Sequence, residues 1–140
     1  VNQAKAAEKL GLKSASIEST NLAIEKDLMK KCFKSSNIPT PESLTTKNIE
    51  SGVDFIRKLD TEVIVKPSES NSGSEGVVSL RNIEEASNVF EFAKDLSASN
   101  RIIIEKYYAG REFTVDGIVA GKEPIILSVS PYVSFLHGDG

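Results

Sequence analysis

The stretch VIVKPSESNSGSEGVV, residues 63–78, combines a lysine with a run of small residues in a way that suits the binding of an anion. Lys66 ends an apolar, β-branched run, and the loop after it contains no large apolar side chain before Val77. Gly73 and Gly76 permit positive φ, so successive backbone N–H groups in this loop can surround an anion toward which Lys66 directs its ammonium. The alternative is an ordinary hairpin loop with a solvated lysine.

Two better-known phosphate-binding sequences are missing from this loop. The pattern G-x-x-x-x-G-K-[ST] before a helix is absent, and so is the dinucleotide fingerprint G-x-G-x-x-G. The residues after the loop also have strand rather than helix composition. An anion site here would therefore belong to a hairpin, not to a strand–loop–helix unit.

A second group of polar residues follows the buried strand that Ile102 and Ile104 predict. The chain leaves this strand through Glu105, Lys106, Tyr107 and Tyr108, where backbone donors and acceptors can contact the rim of a purine. Glu112 returns in the next strand, and a carboxylate there can accept hydrogen bonds from two ribose hydroxyls. The alternative is that these charges only occupy the polar faces of strands.

The elements that would position these residues follow from hydrophobic periodicity, which predicts an α+β fold. Helices are expected over 2–10, 25–35, 48–59 and, after an Asn82 N-cap, about 83–96. Strands are expected over 62–66, 76–80, 101–108, 112–119 and 124–130, so the order from residue 62 is β-β-α-β-β-β. In the second helix the apolar face predicts core packing for Cys32, while Glu25, Lys30, Lys31 and Lys34 are predicted to be solvated.

Composition excludes several classes of function. The net charge of −3 and the absence of tryptophan argue against a nucleic-acid partner. No apolar run is long enough to cross a bilayer, so no membrane partner is predicted. The single cysteine suits a reducing compartment, and we predict a cytoplasmic protein. His137, the only histidine, is predicted to be incidental.

In sequence order the pieces form a longer pattern. A helix that opens on a lysine (EKDLMKKCFKSSNIPTP) precedes VIVKPSESNSGSEGV, then another helix, then IIIEKYYAGREFTVDGIVAGK. This succession resembles the ATP-grasp superfamily of ligases over about residues 20–130. The resemblance implies an α+β fold with an antiparallel lid and helices, in which ATP lies between two subdomains.

Carried onto this sequence, the resemblance implies roles for the residues singled out above. Lys26 and Lys66 would contact the ATP phosphates as point charges. The backbone of the loop would cover the β- and γ-phosphates through Ser72, Gly73, Ser74 and Gly76.

The same resemblance implies how the rest of the nucleotide would be bound. Adenine would contact the hinge formed by Glu105, Lys106, Tyr107 and Tyr108, through the Lys106 carbonyl and the Tyr108 N–H. Glu112 would hold the ribose.

The resemblance also implies a division of the chain. Residues 1–20 would end a preceding N-terminal domain, 21–61 would form the first helical part, 62–130 the lid, and 131–140 the start of a second subdomain. Because the chain opens at Val1 within a predicted helix, we expect it to be a piece of a longer protein.

By resemblance, the parent enzyme uses ATP and Mg²⁺ to activate a small carboxylate as an acylphosphate, which an amine, ammonia or a thiol attacks. GREFTVDGIVAGK is most similar to ligases of the carbamoyl-phosphate-synthase and amino-acid-ligase type; biotin carboxylases and D-alanine–D-alanine ligases are further branches. The family's magnesium ligands would lie beyond Gly140, so we expect the 140 residues alone to be inactive.

One departure from the family keeps other hypotheses open. Glu75 stands where the family often has arginine, which removes a positive charge near the phosphates. A non-catalytic nucleotide-binding module is the first alternative, and a plain α+β interaction domain is the second.

Overall fold

The computed structural model describes residues 1–69, 75–121 and 123–132. The chain divides into two compact units, Val1–Tyr107 and Tyr108–Gly140. The structure combines helices with strands that all pair antiparallel, which confirms the predicted α+β class.

The helices of the first unit begin and end close to the predicted bounds. They are α1 (Asn2–Lys9), α2 (Ile17–Ile24), α3 (Lys26–Ser35), α4 (Ile49–Leu59) and, after a 3₁₀ turn over Ile83–Glu85, α5 (Ala86–Asp95). The sequence analysis did not predict α2. Its N-cap is Ser16, whose side chain accepts a hydrogen bond from the Ser19 N–H at 3.0 Å.

The strands of the first unit form one sheet. They are β1 (Ser43–Thr46), β2 (Val63–Pro67), β3 (Val78–Leu80) and β4 (Ile102–Lys106), arranged in the order β1-β4-β2-β3 with every neighbouring pair antiparallel. The sequence analysis missed β1. It has only four residues, all half-buried, and it becomes a strand by pairing with β4.

One face of this sheet carries the hydrophobic core. Side chains alternate between the two faces of a strand, so Val63 and Val65 of β2 share a face with Ile102 and Ile104 of β4. Helices α4 and α5 cover that face, and the buried cluster consists of Ile56, Val63, Val65, Leu80, Ala86, Phe90, Ala93, Ile102 and Ile104. The opposite face carries Lys66 and Glu105.

Gly52 allows α4 to approach this core closely. A Cβ atom at Gly52 would lie 2.4 Å from Phe90 Cε2 and 2.9 Å from Ile104 Cδ1. Phe90 and Ile104 are fully buried, so neither has room to move away. The glycine is retained here for space rather than for its backbone freedom.

We therefore expect Gly52→Ala to destabilise the protein although alanine is the better helix former. The propensity gain of about 1 kcal/mol opposes an overpacking cost of about 1–3 kcal/mol, which leaves a net loss of up to roughly 2 kcal/mol. Urea unfolding measures this change. Gly110→Ala is the matched control, because a Cβ at Gly110 meets nothing within 4 Å. Equal stability of the two variants would contradict the packing argument.

The second unit contains a β-hairpin, in which β5 (Phe113–Ala120) pairs antiparallel with β6 (Glu123–Pro131). Gly121, with φ of 70°, follows β5 at the predicted turn. The register shifts between Asp116 and Gly117, as at a β-bulge. A Cβ atom at Gly117 would lie 2.8 Å from the Ile125 carbonyl oxygen. The hairpin's exposed apolar side chains are Phe113, Val115, Ile118, Val119, Ile125, Ile126, Leu127 and Val129.

Helix length bears on membrane insertion. Among the described residues, the helices are all too short and too polar to pass through a bilayer.

Candidate functional site

Strands β2 and β4 bring Lys66 and Glu105 together on the face of the sheet that turns away from the core. Lys66 lies opposite Ile103, and Glu105 lies opposite Ile64, so their side chains emerge on one face. Lys66 Nζ is 2.7 Å from Glu105 Oε2. The side chain of Lys66 is 22% exposed and that of Glu105 only 8%, so the carboxylate lies beneath the lysine.

Lys30 of α3 reaches the same carboxylate. Its Nζ lies 2.9 Å from Glu105 Oε1 and donates hydrogen bonds to Thr40 Oγ1 at 3.0 Å and to the Pro41 carbonyl at 3.1 Å. Among the described residues, no donor is aligned with Oε1 for a hydrogen bond, so its contact with Lys30 is an ion pair. The prediction that Lys30 is solvated was wrong. A lysine can be buried when it is paired, and here strand β4 supplies the counter-charge.

Lys26, the first residue of α3, lies close to this pair of lysines. Its N–H donates to the Ser68 carbonyl at 3.2 Å, which ties the start of α3 to the residue after β2. Burial lowers the pKa of Lys26, and the nearby charge of Lys66 lowers it further. Burial likewise lowers the pKa of Lys30, while its contact with Glu105 opposes that change.

Two ammonium groups, those of Lys30 and Lys66, contact the buried carboxylate of Glu105, and Lys26 lies near enough for its pKa to respond to Lys66, Glu69 and Glu105. These three lysines outnumber the two carboxylates, Glu69 and Glu105, so the local charge is positive and favours an anionic ligand. The sequence predicted Lys26 and Lys66 as phosphate-contacting residues and Glu105 as part of the adenine hinge. The available signal for Lys30 was its position four residues after Lys26, one turn along the same helix.

A second charged cluster, built around Arg101, borders this site and was not predicted. Arg101 Nη1 lies 2.8 Å from Asp27 Oδ2, while Nη2 lies 2.5 Å from Glu69 Oε1 and 3.5 Å from Glu25 Oε2. Asp27 is only 2% exposed and also accepts a hydrogen bond from Ser68 Oγ at 3.2 Å. The guanidinium fork thus joins α3, the residues after β2 and the start of β4.

The carboxylates of this cluster bear on magnesium binding. One oxygen each from Glu25, Asp27 and Glu69 lie within 4.8 Å of one another, a spacing that could admit a cation. Arg101 already supplies that positive charge. Glu105, for its part, is paired with two lysines. In the part of the chain that the structure describes, Mg²⁺ therefore finds no fitting group of three carboxylates.

The pKa of the Glu69 carboxyl is strongly lowered in the folded protein. Burial acts to raise its pKa, but hydrogen bonds from Ser99, Arg101 and Ser97 outweigh this and hold the pKa at about 2, against an ordinary value of 4.5. Ser99 Oγ donates to Glu69 Oε2 at 2.6 Å, and Ser97 Oγ donates to the same oxygen at 2.9 Å. The ionised form of Glu69 is thus preferred in the folded protein.

This shift predicts a loss of stability in acid. A depressed pKa stabilises the fold above pH 4.5, and the contribution disappears as the pH falls toward 2. The full shift corresponds to roughly 3 kcal/mol, and we expect about 2 kcal/mol because part of the carboxylate contacts solvent. Unfolding free energies measured from pH 6 to pH 2 should fall less steeply in Glu69→Gln than in the wild type. Parallel curves would refute this role of Glu69.

The loop between β2 and β3 is described at its two ends. Gly76 has φ of 74°, as its predicted loop role requires, and a Cβ there would lie 2.7 Å from Pro67 Cγ and 2.8 Å from Leu96 Cδ1. Any larger residue would therefore push this end of the loop away from β2 and α5. The predicted phosphate-contacting residues Ser72, Gly73 and Ser74 lie outside the described residues.

The predicted adenine hinge is divided between the two units. Lys106 ends β4 and its N–H donates to the Glu42 carbonyl at 2.9 Å, while the Tyr107 N–H donates to the Glu62 carbonyl at 3.0 Å. Tyr108 and Glu112 belong to the second unit and are exposed. The structure thus joins Lys26, Lys66 and Glu105 in one cluster, with Lys106 and Tyr107 directly after it in the chain. The roles predicted for these hinge residues and for Glu112 stay predictions.

The family to which this arrangement belongs follows from comparison with known proteins. Residues 24–139 match the family described as the phosphoribosylglycinamide synthetase ATP-grasp (A) domain. The chain belongs to the ATP-grasp family. This match spans α3, the four-stranded sheet and the hairpin, and it confirms the predicted family.

Similar proteins place this ATP-grasp domain among ligase-like structures. A D-alanine–D-alanine ligase from Synechococcus sp. (strain JA-3-3Ab) is 33% identical over 112 residues, which cover 79% of this chain and 33% of that protein. The structure of the D-alanine–D-alanine ligase from Coxiella burnetii matches with a TM-score of 0.80 at 20% identity, covering 94% of this chain and 40% of that one.

D-alanyl-alanine synthetase A from Vibrio cholerae matches with a TM-score of 0.77 at 17% identity, covering 91% of this chain and 40% of that one. At these identities the two structures show a shared fold. The chain spans only about a third to two-fifths of the length of these relatives.

Proposed function

We propose that this chain is the ATP-binding part of an ATP-grasp ligase. The observation that carries the proposal is the cluster of Lys26, Lys30 and Lys66 around Glu105, because it concentrates positive charge at the end of β2 in a domain of this family. Ammonium groups with little exposure to water bind phosphate oxygens more strongly than surface lysines do.

In this proposal each group has a separate task. Lys26 and Lys66 neutralise the phosphates, and the loop that ends at Gly76 covers them. The adenine contacts the backbone of Lys106 and Tyr108, and Glu112 holds the ribose. Binding and charge neutralisation are the protein's main contributions to phosphoryl transfer, because the reacting groups need mostly positioning and electrostatic stabilisation.

The proposed reaction begins with a carboxylate of the substrate. A carboxylate oxygen attacks the γ-phosphorus of ATP, the bond to the bridging oxygen breaks, and ADP leaves with that oxygen. An amine then attacks the acylphosphate carbon and expels inorganic phosphate. The names of the relatives support an amino acid as the carboxylate, as in D-alanine–D-alanine ligases. The carbamoyl-phosphate-synthase-like subtype, with ammonia as the nucleophile, stays a prediction without such support.

We assign none of these steps to the magnesium that the family implies. Within the described residues the three-carboxylate cluster binds Arg101, so we assign it no metal.

The proposal is tested by titrating the protein with a non-hydrolysable ATP analogue while recording amide NMR signals. We expect the amides of Lys66 and Tyr108 to shift with the same dissociation constant, since both residues are proposed to contact the same nucleotide. GTP should shift the Lys66 amide without reproducing the Tyr108 shift, because Tyr108 is proposed to recognise adenine. Unchanged signals at both residues across the titration would eliminate ATP binding.

A second candidate is a nucleotide-binding module without catalysis. Glu75 favours it, because this exposed acidic residue lies within the proposed phosphate-covering segment, between Ser74 and Gly76, and its negative charge opposes the binding of a triphosphate. The two candidates differ in one measurement. Because the 140 residues alone are expected to be inactive, this measurement is made on the longest natural protein that contains them. A ligase releases ADP when ATP and amino acids are supplied together, whereas a non-catalytic module binds ATP and releases no ADP with any amino acid.

A further inference from the structure

The ammonium of Lys30 has three close oxygen neighbours, whereas the ammonium of Lys66 has fewer among the described residues. Three oxygen atoms lie within 3.1 Å of Lys30 Nζ, on Thr40, Pro41 and Glu105, and they match in number the three N–H groups of an ammonium. Its side chain is 10% exposed. Within the described part of the chain, Lys66 forms an ion pair with Glu105, and its side chain is 22% exposed.

The two lysines therefore differ in what they can do when an anion arrives. Moving Lys30 toward a ligand would break two hydrogen bonds and an ion pair in a buried place, which is costly. Moving Lys66 would break one ion pair among the described residues, and its side chain is more exposed than that of Lys30, at 22% against 10%. Lys66 is thus the cation that can exchange partners, and Lys30 is the cation that stays.

We propose that Lys30 is a positioning residue, which neutralises Glu105 so that Lys66 can exchange this carboxylate for a phosphate oxygen of the nucleotide. This inference rests on the proposed ATP-binding function. Without Lys30, Glu105 would be a buried carboxylate with Lys66 as its one close counter-charge, and the phosphate would have to compete with it. With Lys30 in place, Glu105 keeps a partner after Lys66 has moved.

The surroundings of Glu105 support this division of labour. On α3 the charged groups near it are Lys26 and Lys30, and on β2 the charged group is Lys66. The strand on the other side, β1, places the uncharged Ser43 opposite Glu105. Lys34 acts on Lys30 from one turn further along α3 and is itself exposed. No described acidic side chain lies in direct contact with this carboxylate.

The test replaces Lys30 with methionine, which keeps most of the length of the side chain and removes its charge. Affinities are measured for AMP-PNP, a non-hydrolysable ATP analogue, and for adenosine, which has no phosphates. We expect Lys30→Met to weaken AMP-PNP binding about tenfold, equivalent to one lost charge-assisted contact, and to leave adenosine binding unchanged. Lys34→Met removes the same charge from the exposed face of α3 and should change neither affinity.

A double variant separates this role from a structural one. If Lys30 acts by neutralising Glu105, then Lys30→Met/Glu105→Gln removes the competing carboxylate and should recover most of the lost AMP-PNP affinity. Should Lys30→Met fail to fold, Glu105→Gln alone remains informative: it should bind AMP-PNP at least as tightly as the wild type. Weaker AMP-PNP binding by Glu105→Gln would overturn the proposal.

The remaining outcomes distinguish the proposals from each other. Unchanged AMP-PNP binding by Lys30→Met overturns the role of Lys30 and leaves the ATP site intact. Equal weakening for AMP-PNP and adenosine, without recovery in the double variant, also overturns it, because Lys30 would then only hold the backbone at Pro41. If the wild-type protein binds neither AMP-PNP nor adenosine, the proposed function itself is wrong.

Discussion

Replacing Lys66 with methionine should reduce the affinity for ATP on the order of 100-fold while the protein stays folded. The ammonium of Lys66 is proposed to contact the phosphates directly, and a charge-assisted contact of this kind contributes about 1.5–3 kcal/mol. Folding should be preserved because Glu105 keeps its pair with Lys30, at 2.9 Å, when Lys66 is lost. Isothermal titration calorimetry measures the affinity, and thermal unfolding measures the stability.

The control for this prediction is Lys58→Met. Lys58 is an exposed lysine in the last turn of α4, so its replacement removes the same charge from the molecule at a distant surface. ATP affinity should be unchanged in that variant. If Lys66→Met and Lys58→Met bind ATP equally well, the plain interaction domain becomes the better description and the anion site has to be abandoned.

Replacing Arg101 with methionine should have the largest effect on stability, about 3–5 kcal/mol. Asp27 is 2% exposed, and loss of the guanidinium would leave this carboxylate buried without its closest cation. Lys31 Nζ is 3.9 Å from Asp27 Oδ2, but its side chain is 73% exposed and screened by water. Denaturant unfolding at neutral pH measures the loss.

Arg57→Met is the matched control for Arg101→Met. Arg57 also forms an ion pair, 3.5 Å from Asp54, but both side chains are mostly exposed, at 67% and 76%. An exposed pair contributes about 0–1 kcal/mol, so this variant should unfold almost like the wild type. Arg101→Lys should lie between the two, since one ammonium cannot replace a fork that spans Asp27 and Glu69. Similar stabilities for Arg101→Met and Arg57→Met would show that the buried cluster is not what holds these segments together.

The fold was predictable from sequence wherever the signal was local. The strands that begin at Val63 and Ile102 are apolar and β-branched, and α5 repeats its apolar residues at helical spacing. Each of these elements can therefore be predicted from a window of about ten residues. Strand β1, SLTT, has no such signal; it is a strand because β4 offers a free edge beside it. Helix α2 was missed because its short sequence, IESTNLAI, mixes polar and apolar residues without a clear period.

The candidate site was predictable only in part. Lys26, Lys66 and Glu105 stood out because their order along the chain resembles a family, and the structure brings them together. The sequence predicts a solvated Lys30 and gives no signal for Arg101, because a charged residue in a sequence is usually exposed.

The sequence by itself determined three features: the α+β class, the order of the strand-forming segments along the chain, and the position of a lysine before a loop of small residues. What only the tertiary structure decided is which charges are buried and which partners they have. Arg101 meets Asp27 across 74 positions of sequence, and Lys30 meets Glu105 only after β4 has entered the sheet. The physical reason is that a buried charge is costly unless a counter-charge lies beside it. That counter-charge comes from packing between distant segments rather than from neighbours in the chain.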